Sequence, residues 1–273
     1  MTILITGATG NAGGAVVQSL AAQGIPARAL IRAATELPAG IEPVYGDLNR
    51  PETFADALPG VTGIFLLSGY QGLEELLANA VKSGVRNVVV LSSSSLDGEL
   101  TNAVAAYHHA TEEAARAAGV EWTFLRPNSF MSNTLRWHDQ LQAGDEVRVQ
   151  FPDVPVATIH PRDIGDVAAQ ALQGRHNGEI LRLTGPVALT PAEQVAILAE
   201  TLGRPLTTYP MTRAETHAEL NASMPEPYAT AIESFFADGT IDETSTNDTV
   251  QNVTGHPART LRSWIEENAA RFA

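Results

Sequence analysis

Three glycines near the start of the chain have the spacing of a phosphate-binding loop. Gly7, Gly10 and Gly13 follow an apolar run at residues 2–6 and open a helical pattern at residues 11–23. In a strand-to-helix turn, the first glycine permits the tight bend, the second lets the backbone approach a pyrophosphate, and the third lets helix and strand pack closely. Backbone N–H groups and the positive end of the helix dipole then face the phosphates. The loop therefore predicts a dinucleotide site, against the alternative of a glycine-rich turn that holds no ligand.

Polar side chains near this loop can complete such a site. Thr9 and Asn11 are short side chains that can donate hydrogen bonds to phosphate oxygens. Asp47 follows the third predicted strand, where its carboxylate can accept from an adenine amino group. The alternative for Asp47 is an Asx-type turn, in which the carboxylate caps the local backbone.

The end of the second predicted strand decides which dinucleotide is favoured. NAD sites place an acidic residue there, about 20 residues after the glycines, where it accepts hydrogen bonds from the ribose. Arg32 stands at that position, and Arg28 lies earlier on the same side of the strand. A guanidinium forms charge-assisted hydrogen bonds with a 2′-phosphate, so the sequence favours NADP(H). NAD(H) is the alternative, in which Arg32 is a solvated strand-end residue and Glu36 binds the ribose.

Alternating strand and helix patterns position these residues. They predict a Rossmann-type α/β fold, in which a doubly wound parallel sheet carries helices on both faces. Residues 1–127 form its core, residues 156–185 rejoin that core, and residues 128–155 with 186–273 form a small C-terminal lobe on the substrate side. The strand predictions are 2–6, 26–32, 42–46, 61–67, 86–92, 121–126 and 179–184. The helix predictions are 11–23, 51–58, 71–83, 101–118, 162–173, 191–202 and 258–271, with loops and short helices over 204–257.

Composition excludes several classes of function. The 273 residues include 31 acidic and 17 basic side chains, and the net charge of −14 argues against a surface that binds nucleic acid. There is no cysteine, which excludes disulfide and thiol chemistry. No apolar stretch approaches the ~18 residues that span a bilayer, and no signal segment is evident, so we expect a cytoplasmic protein without a membrane partner. The oligomeric state stays open between a monomer and a homodimer.

Segments along almost the whole chain fit one family. They are TILITGATGNAGG, ALIR, YGDLNRPETFADALPGVTGIFLL, VLSSSS, HHATEEAARAAGVEWTFLRPNSFMSN, HPRDIGDVAAQAL and GHPARTLRSWIEENAARF. Together they resemble the atypical short-chain dehydrogenase/reductases and, within them, the NmrA-like family. The resemblance implies NAD(P)H-dependent reduction of quinones or azo compounds in a cleft formed by the C-terminal lobe. It also implies cofactor contacts from Gly7, Thr9, Gly10, Asn11, Arg32, Asp47, Leu48, Leu67, Ser68, Asn128 and Phe130.

The chain departs from the catalytic pattern of many short-chain reductases. These enzymes use a serine and a tyrosine, with a lysine four residues after the tyrosine that lowers the phenol pKa so that the phenol donates a proton. Here Ser94 or Ser95 can supply the hydroxyl, but the lysine position falls on His108 and the tyrosine position on Val104. Tyr107 is next to His108, and adjacent side chains on a helix point about 100° apart. The Tyr–Lys pair is absent, and Ser94, Tyr107 and His108 are the predicted catalytic residues.

His108 has more than one interpretation. It can donate a hydrogen bond to a ribose hydroxyl in either protonation state. It can instead pair along its helix with Glu112, as His109 can with Glu113, because both pairs are spaced i,i+4. A metal site at this cluster would lack further matched ligands, so no metal is predicted.

Apolar side chains after the core can form a cleft for a planar substrate. The residues assigned to that cleft are Met131, Trp137 and Phe235, with Phe130, Phe151 and Phe236 as neighbours. The alternative is that they form the core of the small lobe.

These observations predict an NADPH-dependent oxidoreductase that transfers hydride to a quinone-like or carbonyl small molecule. A quinone is electron-poor and can take its proton from solvent, so it tolerates the missing Tyr–Lys pair. The alternative is a non-catalytic NADP(H) sensor that binds a protein partner. A nucleotide-sugar epimerase is disfavoured by the same missing tyrosine.

Overall fold

The computed structural model describes residues 1–98 and 100–272 of the chain. Glu99 and Ala273, which fall within the predicted core and the predicted C-terminal lobe, lie outside the described residues. The strands are β1 Thr2–Ile5, β2 Ala27–Ile31, β3 Ile41–Tyr45, β4 Val61–Leu67, β5 Asn87–Leu91, β6 Glu121–Pro127, β7 Glu146–Val149, β8 Glu179–Leu183 and β9 Thr207–Pro210.

Helices alternate with these strands. The α-helices are α1 Asn11–Ala22, α2 Leu73–Lys82, α3 Ala103–Ala117, α4 His138–Ala143, α5 Pro161–Leu172, α6 Pro191–Leu202, α7 Arg213–Ser223, α8 Glu226–Phe236, α9 Thr249–Thr254 and α10 Leu261–Asn268. Short 3₁₀ helices lie at Pro51–Ala57, Ser94–Asp97, Met131–Trp137 and Ala269–Arg271. The helix predicted over 51–58 is thus a 3₁₀ helix, whose turn is broken at Phe54. Phe54 is buried in the core, which holds the chain against the sheet at that point.

Seven strands form one parallel sheet, in the order β3-β2-β1-β4-β5-β6-β8. The chain runs from β1 outward through β2 to β3, then crosses back to β4 on the other side of β1. The strand order therefore reverses between β1 and β4, and in open α/β sheets ligands bind at the carboxyl ends of the strands beside such a point. β8 pairs with β6, so the chain returns to the sheet after residue 155.

Alternation along the strands divides the core between two faces of the sheet. On β1, Ile3 and Ile5 pack on one face and Leu4 packs on the other, as the two-residue period of a strand requires. Helices α1 and α5 pack against each other on the first face, and α2 and α3 pack together on the second. This double coverage explains why the β4 and β5 sequences are almost continuously apolar.

A third apolar cluster lies outside the sheet. It joins the 3₁₀ helix Met131–Trp137 to β7, α6 and α10, and β7 pairs with β9 in a separate two-stranded sheet. Met131 and Trp137 are each 1% exposed within this cluster. The prediction that they contact a substrate is therefore corrected, since these side chains form the core of the second lobe. None of the helices in the described part of the chain is long and apolar enough to cross a membrane.

Candidate cofactor and substrate site

The glycine loop makes a tight turn at the carboxyl end of β1. Gly7 has φ +60°, a left-handed conformation that favours glycine. A Cβ atom at Gly13 would lie 2.2 Å from the Gly7 carbonyl oxygen, so the first turn of α1 packs directly on the loop. A Cβ atom at Gly7 would lie 2.2 Å from Cδ1 of Leu67, at the end of β4. Side chains at Gly7 and Gly13 would therefore overlap with neighbouring atoms, so the loop packs closely against α1 and the end of β4.

The outer side of this loop can receive an anion. Gly10 is the N-cap of α1, and no side chain caps the first turn of the helix. The first N–H groups of a helix have no partner within the helix, and they lie at the positive end of its dipole. Thr9, Gly10 and Asn11 are exposed beside them. Backbone donors, two polar side chains and a bare glycine surface fit the pyrophosphate of a dinucleotide.

Arg32 and Arg28 have different roles in the structure. Arg32 follows β2 directly, is exposed, and makes no hydrogen bond or ion pair with the described residues. Arg28 pairs with Glu42 at 3.2 Å and donates to the carbonyl oxygens of Ala57 at 2.6 Å and Pro59 at 2.8 Å. Arg28, although it lies on the same strand, is not available to a phosphate, because its guanidinium already binds protein groups.

Asp47 and Leu48 build the turn that follows β3. The Asp47 Oδ1 atom accepts a hydrogen bond from the Asn49 amide at 3.0 Å, and the Asp47 amide donates to Thr53 Oγ1 at 3.0 Å. The Asx-type turn is therefore present. Leu48 is buried in the core below the sheet, so a cofactor contact by this residue, which stays a prediction, would come from its backbone.

A cavity of about 400 Å³ opens at the carboxyl ends of β4, β5 and β6, and is called here the central cavity. It begins beside the glycine loop, because Leu67 both contacts Gly7 and lines the cavity. The structure brings together in its wall the predicted residues Leu67, Ser68, Ser94, Tyr107, His108, Asn128, Phe130 and Phe235. The sequence predictions for the cofactor and the substrate thus converge here from five separate segments.

Tyr107 and His108 lie side by side in this wall. Their ring centroids are 4.3 Å apart, so the two rings meet in the wall of the cavity although adjacent side chains leave a helix about 100° apart. Burial, with a contribution from Arg126, lowers the pKa of His108 to about 4, and its buried Nδ1 atom has no hydrogen-bond partner among the described residues. Burial, with a contribution from Tyr228, raises the pKa of Tyr107. At neutral pH the wall therefore presents a neutral imidazole and a neutral phenol.

Ser94 is oriented by a carboxylate that sequence reasoning missed. Its Oγ atom donates to Glu243 Oε1 at 2.5 Å, and the second carboxylate oxygen of Glu243 accepts from the Ser129 amide at 2.9 Å. The Ser94 hydroxyl thus donates its proton to Glu243, and its oxygen, in the cavity wall, can still accept a hydrogen bond. No local signal could identify Glu243, because it lies 149 residues after Ser94.

Asn128 is held entirely by protein groups. Its amide nitrogen donates to the carbonyl oxygens of Glu243 at 3.1 Å and Ala157 at 3.3 Å, while its oxygen accepts from Arg182 Nε at 2.9 Å. The predicted cofactor contact by this side chain is corrected to a structural one, since both donors are already used. The hydroxyl of Ser68 also donates to a protein group, the Leu91 carbonyl oxygen, at 2.8 Å.

The glutamates on α3 do not pair with the histidines. Glu112 is buried and accepts from Arg126 at 2.8 and 3.0 Å and from Ser92 Oγ at 2.6 Å. The neighbouring Glu113 pairs with Arg116 at 3.2 Å. The predicted helical pairs His108–Glu112 and His109–Glu113 are therefore corrected, because arginines have taken both carboxylates.

A second cavity of about 450 Å³, the outer cavity, lies between the central cavity and the second lobe. The two share Ser129, Phe130, Asn133, Ile232 and Phe236 as common wall. Phe151 and Phe236 line it with ring centroids 5.3 Å apart. The outer cavity also contains Arg136 and Glu219, which no sequence pattern singled out.

Comparison with known proteins agrees with this architecture. The chain is 38% identical to a (4-alkanoyl-5-oxo-2,5-dihydrofuran-3-yl)methyl phosphate reductase of Streptomyces griseus subsp. griseus, with 99% of each chain covered. It is 32% identical to an NAD(P)H azoreductase of Xenophilus azovorans, again over 99% of each chain. A solved NADPH-dependent quinone oxidoreductase of Escherichia coli, in complex with NADPH, has the same fold with a TM-score of 0.77 at 23% identity, covering 98% of this chain and 100% of that one. The model of the NmrA-like family matches residues 1–266, and the chain belongs to that family.

Proposed function

We propose that the chain is an NAD(P)H-dependent reductase that favours NADPH and acts on a conjugated, electron-poor small molecule. The observation that carries the proposal is the glycine loop, with its uncapped α1 amides, beside an exposed Arg32. Amides and a helix dipole suit a pyrophosphate, and an unengaged guanidinium suits a 2′-phosphate. The central cavity, which starts at the same loop, supplies space for the reacting ring and an acceptor.

The relatives support the reaction class. Two full-length relatives above 30% identity are named as reductases, one of a dihydrofuranone phosphate and one of azo compounds. The named dihydrofuranone has a ring C=C bond conjugated with two carbonyl groups attached to the same ring carbon, and an azo compound has an N=N bond. Such unsaturated bonds accept hydride because they are electron-poor, and they fit the planar substrate that the aromatic walls of the cavities favour.

The residues of the central cavity fit a reaction that needs little acid catalysis. Reduced nicotinamide supplies the hydride when it is bound. Tyr107 and His108 can donate hydrogen bonds through neutral groups, and Ser94 can accept one, but none of the three is an activated proton donor. A conjugated acceptor can take its proton from water after hydride transfer, whereas an isolated ketone depends on an acid aligned with its oxygen. We therefore infer that quinone-like, azo or enone acceptors are better substrates than simple ketones.

The test measures nucleotide binding and turnover separately. NADPH and NADH are titrated by fluorescence, and their oxidation is then followed with a quinone, an azo dye, an acylated butenolide and cyclohexanone. We expect saturable NADPH binding and turnover of at least one conjugated acceptor. Arg32→Ala should weaken NADPH binding by roughly tenfold or more and leave NADH binding within about twofold, because a charge-assisted contact is lost. Arg175→Ala, which changes an exposed arginine outside both cavities, is the control.

Two results would contradict the proposal in different ways. Absence of binding by either nucleotide would remove the cofactor assignment altogether. Binding without turnover of any acceptor would favour the sensor alternative, which is then tested by comparing partner capture with NADP⁺ and NADPH.

A further inference from the structure

Arg136 is a cation placed within the outer cavity. It lies on the 3₁₀ helix Met131–Trp137, and its side chain lines the cavity together with Phe151 and Leu220. Among the described residues it forms no hydrogen bond and no ion pair. Its guanidinium carbon lies 5.3 Å from the centroid of the Trp137 ring, within the range of a cation–π contact.

The partly buried arginines Arg126, Arg182 and Arg259 are paired with carboxylates. Arg126 binds Glu112 and Asp97, Arg259 binds Asp163 and Asp166, and Arg182 binds Asp97. Such pairing offsets the cost of taking a charge out of water. Arg136 is an exposed residue whose side chain lines the cavity, and its surroundings there lower its pKa. A guanidinium that lines a cavity and has no carboxylate partner among the described residues is a group that a ligand can complete.

The carboxylate near Arg136 does not form an ion pair with it. Glu219 is the carboxylate that acts on it, and its field partly offsets the effect of burial on the pKa of Arg136. However, Glu219 is exposed, and its Oε1 atom accepts a hydrogen bond from Gln150 at 2.9 Å. The carboxylate is thus held by Gln150 on the outer side of the cavity and forms no contact pair with the guanidinium.

The other residues that line the outer cavity indicate the polarity of the rest of the ligand. Apolar side chains of Phe151, Val154, Val156 and Met224 form most of the surface. Phe151 has φ +49°, a left-handed conformation that is unfavourable for a bulky residue and that occurs where a ligand wall must be held in place. The hydroxyl of Thr158 and the side-chain amide of Asn133 also line the cavity without a described partner. The site therefore fits an apolar body with one anionic end.

We propose that Arg136 binds an anionic group of the substrate, a phosphate monoester or a carboxylate, while the apolar body extends past Phe130 into the central cavity. The proposal rests on the proposed function in so far as the ligand is the hydride acceptor. Ser129, Phe130 and Asn133 belong to the walls of both cavities, so one molecule can reach from Arg136 toward the reacting position. Arg136 is then a specificity residue, which selects acidic acceptors over neutral ones.

The experiment measures binding, so that it does not depend on turnover. Benzyl phosphate, phenylacetate and benzyl alcohol are titrated by calorimetry into the purified full-length chain and three variants. Arg136→Met should weaken binding of at least one of the two anions by tenfold or more and change benzyl alcohol binding less than about twofold. Arg175→Met is the matched control, since Arg175 is exposed and lines neither cavity. Glu219→Gln should tighten binding of the same anion severalfold, because it removes a nearby negative charge.

The outcomes separate the ligand classes and the two proposals. An effect on benzyl phosphate alone identifies a phosphate, and an effect on phenylacetate alone identifies a carboxylate. Equal binding of both anions to the wild-type chain and to Arg136→Met, or no saturable binding of either to the wild-type chain, overturns the proposal. If Arg136→Met does not fold, the Glu219→Gln variant tests the proposal instead. An anion affinity that is unchanged in Glu219→Gln then overturns the proposal. Turnover of a neutral quinone, measured in parallel, tests the proposed reductase function independently of Arg136.

Discussion

At the scale of single residues, the central cavity holds a tyrosine and a histidine that are close together but not coupled as an acid. In the Tyr–Lys arrangement a cation next to the phenol lowers its pKa. Here the neighbour of Tyr107 is a neutral imidazole 4.3 Å away, and the pKa of the phenol is raised. The two residues can orient a ligand by hydrogen bonds, and in the proposed function the proton of the product comes from water.

Replacing Tyr107 therefore has a small effect on turnover. A general acid contributes about 10²–10⁴-fold to rate, but we expect Tyr107→Phe to lower kcat for a quinone by less than about fivefold. The rate should also be independent of pH between 5.5 and 8, because the pKa of His108 is about 4 and that of Tyr107 lies above its ordinary value of 10.0. Steady-state oxidation of NADPH at constant ionic strength measures both. A loss of a hundredfold or more, or a titration near pH 7, would show that Tyr107 or His108 does act as the acid.

Residues with a local signature were predictable, and residues with a distant partner were not. The glycine pattern, the strand-end Arg32 and the alternative Asx turn at Asp47 each depend on a few neighbouring positions. Glu243 acts on Ser94 from 149 residues away, and Arg136 is significant only because other segments enclose it. The direction of the Tyr107 ring could not be predicted from the sequence either, since helix geometry fixes where Cβ points and not how a long side chain bends.

At the scale of elements, the β1–α1 unit depends on a contact between two backbones. Gly13→Ala would place a Cβ atom 2.2 Å from the Gly7 carbonyl oxygen, which cannot move without opening the loop. We expect it to lower the free energy of unfolding by about 1–3 kcal/mol, as overpacking does, and to weaken NADPH binding at least tenfold. Gly14→Ala is the matched control, because its Cβ atom would lie 3.4 Å from the Ala8 carbonyl oxygen, an ordinary contact. Urea unfolding and NADPH titration measure both variants, and equal behaviour of the two would contradict this account of the loop.

Elements with strong periodicity were predicted well, and the second lobe was not. Strand 61–67 has the predicted bounds, because burial on both faces makes its sequence continuously apolar. Residues 204–257 were expected to form loops and short helices, yet α7 and α8 have 11 residues each. The start of α7 is marked by a capping box between Thr212 and Glu215, a signal that was present in the sequence. The apolar residues of this lobe could not be divided between core and cavity, since both use the same residue types.

At the scale of the whole molecule, polar groups fasten the second lobe to the sheet at the central cavity. Arg182 on β8 contacts Asn128, Asp97 and the Asp242 carbonyl oxygen. Glu243, the residue after Asp242, accepts hydrogen bonds from the Ser94 hydroxyl and the Ser129 backbone amide. These bonds cross between segments that are far apart in sequence, and they set the walls of the cavity. The stability of the molecule as a whole and the shape of the site are therefore linked.

Two buried histidines give the whole molecule a defined pH dependence. Burial lowers the pKa of His108 and of His160 to about 4, with further contributions from Arg126 for the first and from Arg259 and Arg162 for the second. Unfolding restores the ordinary value of 6.5, so the unfolded state binds these protons first as the pH falls. Stability is therefore fully present above pH 6.5 and is lost as the pH falls from 6.5 toward 4. Between pH 7 and 5.5 we expect the free energy of unfolding to fall by roughly 1 kcal/mol for each histidine.

Urea unfolding of His160→Asn, which keeps an N-cap acceptor for α5, should show about half of the wild-type change, whereas the exposed His109→Asn should show all of it. A wild-type stability that does not change over this range, or an equal change in His160→Asn, would mean that these histidines are not held neutral by the fold.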